Sequence, residues 1–156
     1  MRERPRQLRL EPAKLTPETR RAPGFGKLRP VTAFLIAAAG GIGSVLRYAV
    51  GLALANALGA SLPFGTLAVN AIGSCLLGVV AEGLRGQTLA GADLRLVLGV
   101  GLLGGFTTYS SFNLELLRMI ETGALGRAAG YFALTVGSCL VAGAAGIALA
   151  RFAIGR

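Results

Sequence analysis

The chain has no histidine and no tryptophan, and Cys75 and Cys139 are its only cysteines. Without imidazole, and with both thiols inside apolar runs, neither a zinc site nor a Cys/His nucleophile pair can be assembled. Both cysteines read as buried free thiols. Charge is scarce as well, at 15% of 156 residues against roughly a quarter in a soluble domain. No acidic residue falls within the middle of an apolar run, since Glu82, Asp93, Glu115 and Glu121 all lie near run ends. That argues against proton-coupled export of cationic compounds, which needs a buried carboxylate. Nothing points to ATP use or covalent chemistry, so an enzyme is not expected. The net charge of +9 does not imply a nucleic-acid partner, because nine of the 16 basic residues precede residue 30.

What the sequence does have is apolar and small. Hydrophobic residues make up 53% of the chain, mean hydropathy is +0.64, and there are 24 glycines. Runs of about 20 apolar residues require lipid as solvent, and small residues let helix backbones approach closely there. Four such runs stand out: Val31–Leu54, Pro63–Gly83, Leu94–Met119 and Ala128–Ala150. Their length fits helices rather than the roughly 10-residue alternating strands of a barrel. The expected fold is therefore an all-α membrane protein of four transmembrane helices, in the inner (plasma) membrane.

Residues 1–30 are Pro-rich and charged and lack apolar periodicity, which reads as a disordered basic cytoplasmic tail before a membrane domain of residues 31–156. An alternative is a natural start near Val31. The tail does not resemble a cleaved signal, because acidic residues and prolines dilute its bases. Apart from the tail and Arg47, the basic residues divide four (Arg85, Arg95, Arg151, Arg156) against two (Arg118, Arg127) between the two membrane sides. So small an excess sets orientation weakly and permits insertion in both directions.

Polar residues inside the runs recur at helical spacing: Gly40, Gly43, Ser44 and Arg47; Thr66, Asn70, Gly73 and Ser74; Tyr131, Thr135 and Ser138. Helix packing is the simpler reading for Ser44, Ser74 and Ser138 taken singly. Asn70 needs partners in hydrocarbon and shares a face with Thr66, which favours a functional role. Arg47 lies ~24 Å along its helix at 1.5 Å per residue, near the far membrane surface, where it can snorkel. The third run contains GGFTTYSSF, Gly104 to Phe112. Its glycines are poor helix formers and its hydroxyls compete for backbone hydrogen bonds, predicting a break. Irregular backbone at that depth is tolerated where it lines a cavity, is buried in protein or binds an ion. Freed carbonyls suit a monovalent cation; hydroxyls and the ring edges of Tyr109 and Phe112 suit a small anion.

These residues resemble the Fluc (CrcB) fluoride channels. The resemblance rests on GGIGSVLRY (Gly40–Tyr48), PFGTLAVNAIGS (Pro63–Ser74), GLLGGFTTYSSFNLE (Gly101–Glu115), and Tyr131 with Thr135, in that order over residues 33–150. It implies an antiparallel, dual-topology dimer with passive fluoride pathways, formed with a second copy or an oppositely oriented paralogue. It also implies a structural sodium ion held by carbonyls of Gly104 and Thr107. The implied fluoride pathway comprises Asn70, Tyr109, Ser110, Ser111, Phe112, Tyr131 and Thr135, with Arg47, Thr66 and Glu115 in structural or vestibule roles. Tyr109 stands where the family has phenylalanine, and Thr135 where serine is common. A small multidrug-type four-helix exporter is the alternative.

Overall fold

The computed structural model describes residues 29–59 and 62–155. The tail reading falls almost wholly outside these residues. Helix α1 (Pro30–Leu58) and helix α2 (Phe64–Gly83) are followed by a short hairpin of β1 (Thr88–Leu89) and β2 (Ala92–Asp93). The next segment is composite: a π-helix Leu96–Leu103, a single turn α3 (Gly104–Phe106), two extended residues, then α4 (Tyr109–Glu121). Helix α5 (Leu125–Ala153) ends the fold.

Three helices, α1, α2 and α5, are long and apolar enough to cross a membrane. Two of them exceed the expected spans: α1 runs to Leu58 and α5 starts at Leu125. At 1.5 Å per residue a 29-residue helix measures ~44 Å, which covers the headgroup regions as well as the ~30 Å hydrocarbon core. Residues at these ends need not be apolar, which explains why the apolar runs alone come out short. Pro30 opens α1 at a position where its missing N–H costs nothing. Gly59 and Gly123, both with positive φ, close α1 and α4.

The exterior is as apolar as a core. Phe34, Tyr48, Leu140, Val141 and Phe152 are all at least 70% exposed. The buried interior is small and built around Val69, Phe106, Phe112 and Tyr131. A soluble protein could not leave such a surface in water; lipid or another apolar surface must cover it.

Glycines set the helix spacing. α2 packs most extensively on α5, and α1 packs on the π-helical segment. A Cβ on Gly146 would strike the carbonyl of Cys75, and one on Gly43 would strike that of Leu102. Gly105 meets Gly40 in the same way. Gly104 and Gly105 therefore stay helical despite their low propensity, because Gly105 makes a contact no larger residue can make. The hydroxyls of Ser44, Ser74 and Ser138 bond back to carbonyls of their own helices, in keeping with packing.

Charges mark the ends of the bundle. At one end Glu82 accepts from both Arg85 and Arg151, joining the C-termini of α2 and α5. Arg29 donates to the carbonyl of Gly91 in the hairpin, 2.6 Å away. There Asp93 is held below the ordinary carboxylate range by hydrogen bonds from the Arg95 side chain and main chain. The opposite end gathers Arg118, Thr122 and Arg127. The composite segment thus runs from the hairpin end to this one.

Overpacking the glycine contacts should be costly. Gly146→Val is expected to lower the thermal stability of detergent-solubilised protein by about 1–3 kcal/mol. Gly126→Ala, whose added methyl meets nothing within 4 Å, should leave it unchanged, and a thermal melt of both variants checks this.

Candidate functional site

The break in the third segment lies at Thr107 and Thr108, which are extended, with φ/ψ of −85°/158° and −151°/109°. Asn70 on α2 holds it open. Its Nδ2 donates to the Thr108 carbonyl at 3.0 Å, and its Oδ1 accepts from the Thr108 N–H at 2.8 Å. The side-chain amide therefore pairs with one peptide group much as a neighbouring strand would, and one Asn70 N–H is left over.

Thr108 then starts the next helix. Its Oγ1 accepts from the Ser111 N–H at 3.1 Å, the usual bond of a helix N-cap threonine. The same hydroxyl donates to Ser111 Oγ at 3.0 Å and lies 3.3 Å from Ser110 Oγ. Thr108 is buried, at 6% exposure, and is the hub of the break. In the sequence it stands only among the hydroxyls that compete for backbone hydrogen bonds; the further signal is a threonine three residues before a serine, the spacing of an N-cap bond.

These bonds have a consequence for the main chain. In a continuous helix the N–H groups of Thr108 and Ser111 would serve the carbonyls of Gly104 and Thr107. Here they are committed to Asn70 Oδ1 and Thr108 Oγ1, so both carbonyls lose their helical donors. They are the two carbonyls expected to face a cation.

Phe112, one turn into α4, is buried at 4% exposure. Its ring meets Tyr109 at 5.9 Å and 56°, and Tyr131 of α5 at 5.3 Å and 54°, both tilted so that edges meet faces. Tyr131 is buried, and its hydroxyl donates to Glu115 Oε2 at 2.8 Å. Thr66 donates to Glu115 Oε1 at 2.7 Å. Glu115 thus gathers hydroxyls from α2 and α5. One turn along α5 from Tyr131, Thr135 is buried and its hydroxyl has no hydrogen-bond partner among the described residues. A hydroxyl left so costs about 1–3 kcal/mol, and buried polar groups are normally satisfied. The interaction open to it is with the Tyr131 hydroxyl, one turn back along α5.

Two cavities flank this cluster. One, of about 400 Å³, is lined by Asn70, Gly104, Thr107, Tyr109, Phe112 and Thr135, with Cys139 and Leu140 beyond them. The other, of about 520 Å³, opens at the far end of the bundle beside Thr66, Glu115, Arg118 and Arg127. Tyr131 and Glu115 connect the two surroundings. Of the residues singled out from the sequence, the fold brings together Asn70, Gly104, Thr107, Tyr109, Phe112 and Thr135. Tyr109 lines the cavity while remaining 77% exposed. Ser110 and Ser111 sit at the Thr108 hub, and Thr66 and Glu115 line the second cavity. Arg47 is brought to neither cavity and makes no hydrogen bond or ion pair among the described residues.

A profile of the family described as CrcB-like protein, Camphor Resistance (CrcB), matches residues 34–147. The chain belongs to the CrcB family. Its relatives include proteins named fluoride-specific ion channel FluC. That of Agrobacterium fabrum is 44% identical over 117 residues, covering 75% of this chain and 94% of the relative. That of Caulobacter vibrioides is 45% identical over 119 residues, covering 75% and 93%. That of Rhizobium etli is 43% identical over 121 residues, covering 78% and 97%. The CrcB match takes in the break, both cavities and the whole aromatic cluster.

The Asn70 clamp predicts a local effect. Asn70→Ala removes two hydrogen bonds worth together about 1–3 kcal/mol. Amide exchange measured by mass spectrometry should accelerate by roughly tenfold or more across 104–111 while α2 and α5 stay protected.

Proposed function

We propose that this CrcB-family chain is a fluoride-selective channel that lets cytoplasmic fluoride leave the cell passively, down its electrochemical gradient, and so limits fluoride toxicity. The observation that carries the reading is the 400 Å³ cavity. Around it stand the spare N–H of Asn70, the side chain of Thr135 and the rings of Tyr109 and Phe112, whose edges are partially positive. These groups carry no fixed full charge, and the cavity lining contains no carboxylate. Such a surface can replace the water around a small, strongly hydrated anion without binding it too tightly to leave. The FluC relatives carry the same functional name.

The pathway we assign runs along Asn70, Tyr109, Ser110, Ser111, Phe112, Tyr131 and Thr135. Thr66 and Glu115 terminate it at the larger cavity, where Glu115 orients the Tyr131 hydroxyl. Movement is from donor to donor, with no group required to change its protonation. A cytoplasm more alkaline than the outside traps fluoride that enters as HF, and the channel provides the exit for the anion. Arg47 is assigned the structural or vestibule role that the family resemblance implies; because α1 continues for eleven residues past it, to Leu58, it lies further from the far surface than the apolar run alone suggests.

The quaternary reading is an antiparallel dual-topology dimer of four-crossing subunits in the plasma membrane. It is supported by the nearly balanced basic residues of the membrane domain, and by the apolar and aromatic surface a lone chain leaves uncovered. The structural sodium ion suits the carbonyls of Gly104 and Thr107, whose helical donors are diverted and which both border the exposed cavity. Carbonyl oxygens fit a hard monovalent cation, and its charge would tie the two subunits' breaks together.

The reading is tested by reconstituting the full chain in liposomes and measuring anion release with ion-selective electrodes. Fluoride should be released rapidly once an ionophore relieves the membrane voltage, with chloride retained. Phe112→Ala should cut the fluoride rate by at least about tenfold, since each ~1.4 kcal/mol of barrier is a factor of ten. No fluoride release from correctly assembled wild-type protein would refute the assignment.

A further inference from the structure

The two ends of the bundle differ in charge. At the hairpin end Arg29, Arg85, Arg95 and Arg151 stand against two carboxylates, Glu82 and Asp93. At the opposite end Arg118 and Arg127 are matched by Glu115 and Glu121. Helix dipoles do not set the sign at the hairpin end, because the N-termini of α1 and the π-helix meet the C-termini of α2 and α5 there. The side chains set it. They are also layered: Glu82 is only 13% exposed, whereas Arg85 and Arg151, which reach its Oε1 at 2.9 and 3.4 Å, are both 55% exposed. One sheltered carboxylate therefore holds two guanidinium groups from different helices side by side, and leaves most of their N–H donors unspent.

Apolar side chains adjoin these charges. Leu149 and Phe152, which flank Arg151 on α5, are 60% and 86% exposed, and Leu96 is exposed beside Arg95. Guanidinium groups next to bare apolar side chains at helix ends mark the level where hydrocarbon gives way to headgroups. A soluble polyanion would meet the charges and leave the apolar side chains in water; a phospholipid meets both. The chain preceding Arg29 enters at this same end and carries eight basic and three acidic residues, a further excess of the same sign. We propose that the hairpin end is a docking face for anionic phospholipids, with a headgroup phosphate bridging Arg85 and Arg151 and the acyl chains against the exposed apolar side chains of α5. Phosphate oxygens accept from paired guanidinium groups more strongly than from single ones, and the Glu82 carboxylate keeps the pair together without cancelling its charge.

The test is native mass spectrometry of the full-length protein released from detergent, with equal amounts of phosphatidylglycerol and phosphatidylcholine of the same acyl composition. The wild type should retain phosphatidylglycerol over phosphatidylcholine by at least about fivefold, roughly the effect of one basic residue at an anionic surface. Raising the ionic strength should lower the ratio. Glu82→Gln removes the opposing charge and should raise it. The triple variant Glu82→Gln, Arg85→Gln, Arg151→Gln leaves no carboxylate unpaired and should bring the ratio down by about fivefold. Residues 1–28 are unchanged in every variant, so they cannot produce these differences. A thermal melt checks the fold, and Glu82→Gln still reads the sign of the effect should the triple variant fail to assemble. A wild-type ratio near one, as expected if another protein surface covers this face in the assembly, overturns the proposal. So does a folded triple variant that keeps the wild-type ratio, or a ratio that does not rise in Glu82→Gln. Lipid retention is read without any ion flux, so its failure leaves the fluoride-channel reading untouched.

Discussion

Two hydrogen bonds between the Asn70 side chain and the Thr108 peptide are the constraint on which the rest of the site depends. A helix crossing an apolar layer has every reason to stay continuous, because an unpaired peptide group there costs several kcal/mol. The primary amide of asparagine is one of the few side chains that can satisfy both the N–H and the C=O of one residue. With that peptide satisfied from α2, the third segment can be extended for two residues and restart as α4. The diverted carbonyls of Gly104 and Thr107, the N-cap at Thr108 and the inward placement of Phe112 all follow from the interruption.

The clamp works only because the helices are close. Asn70 reaches the break across the α2 surface, where Gly73 leaves room for the Thr107 methyl. On the other side, Gly40 and Gly43 of α1 receive the turn Gly104–Phe106 and the end of the π-helix. The wider π-helical winding ends one turn before the break, and such bulges commonly accompany functional sites. Small residues thus set the spacing, and the amide and hydroxyls use it. The result is a cavity with few polar side chains, beside the two freed carbonyls of Gly104 and Thr107, and bounded by aromatic rings and leucines.

Much of this was legible in the sequence, and for physical reasons. The apolar runs revealed α1, α2 and α5 because lipid imposes a length and excludes charge; the run ends were too short because helices continue into the headgroup region. GGFTTYSSF announced the break through its propensities, but not its position. The glycines and the hydroxyls both spoke for a break; packing on Gly40 keeps Gly104 and Gly105 helical, and the break falls at the two threonines. Asn70 stood out as a polar group that had to find a partner; that its partner is the main chain of Thr108 is a long-range fact no local pattern holds. The unpartnered Thr135 hydroxyl and the meeting of Thr66, Tyr131 and Glu115 likewise depend on how three helices turn toward one another. The family resemblance located most of these residues in advance, and the geometry supplies what each one touches.

The central claim is that a cavity of neutral donors, opened by the clamp, passes fluoride and little else. Its most direct test is the reversal potential of the current carried by the reconstituted protein in a planar bilayer, with a fluoride gradient set against symmetrical chloride. The account predicts a potential that follows fluoride at about 59 mV per tenfold gradient, the value for a single charge at 25 °C, and that ignores added chloride or a shift in pH. A potential that follows chloride or protons, or no current from assembled protein, would contradict it.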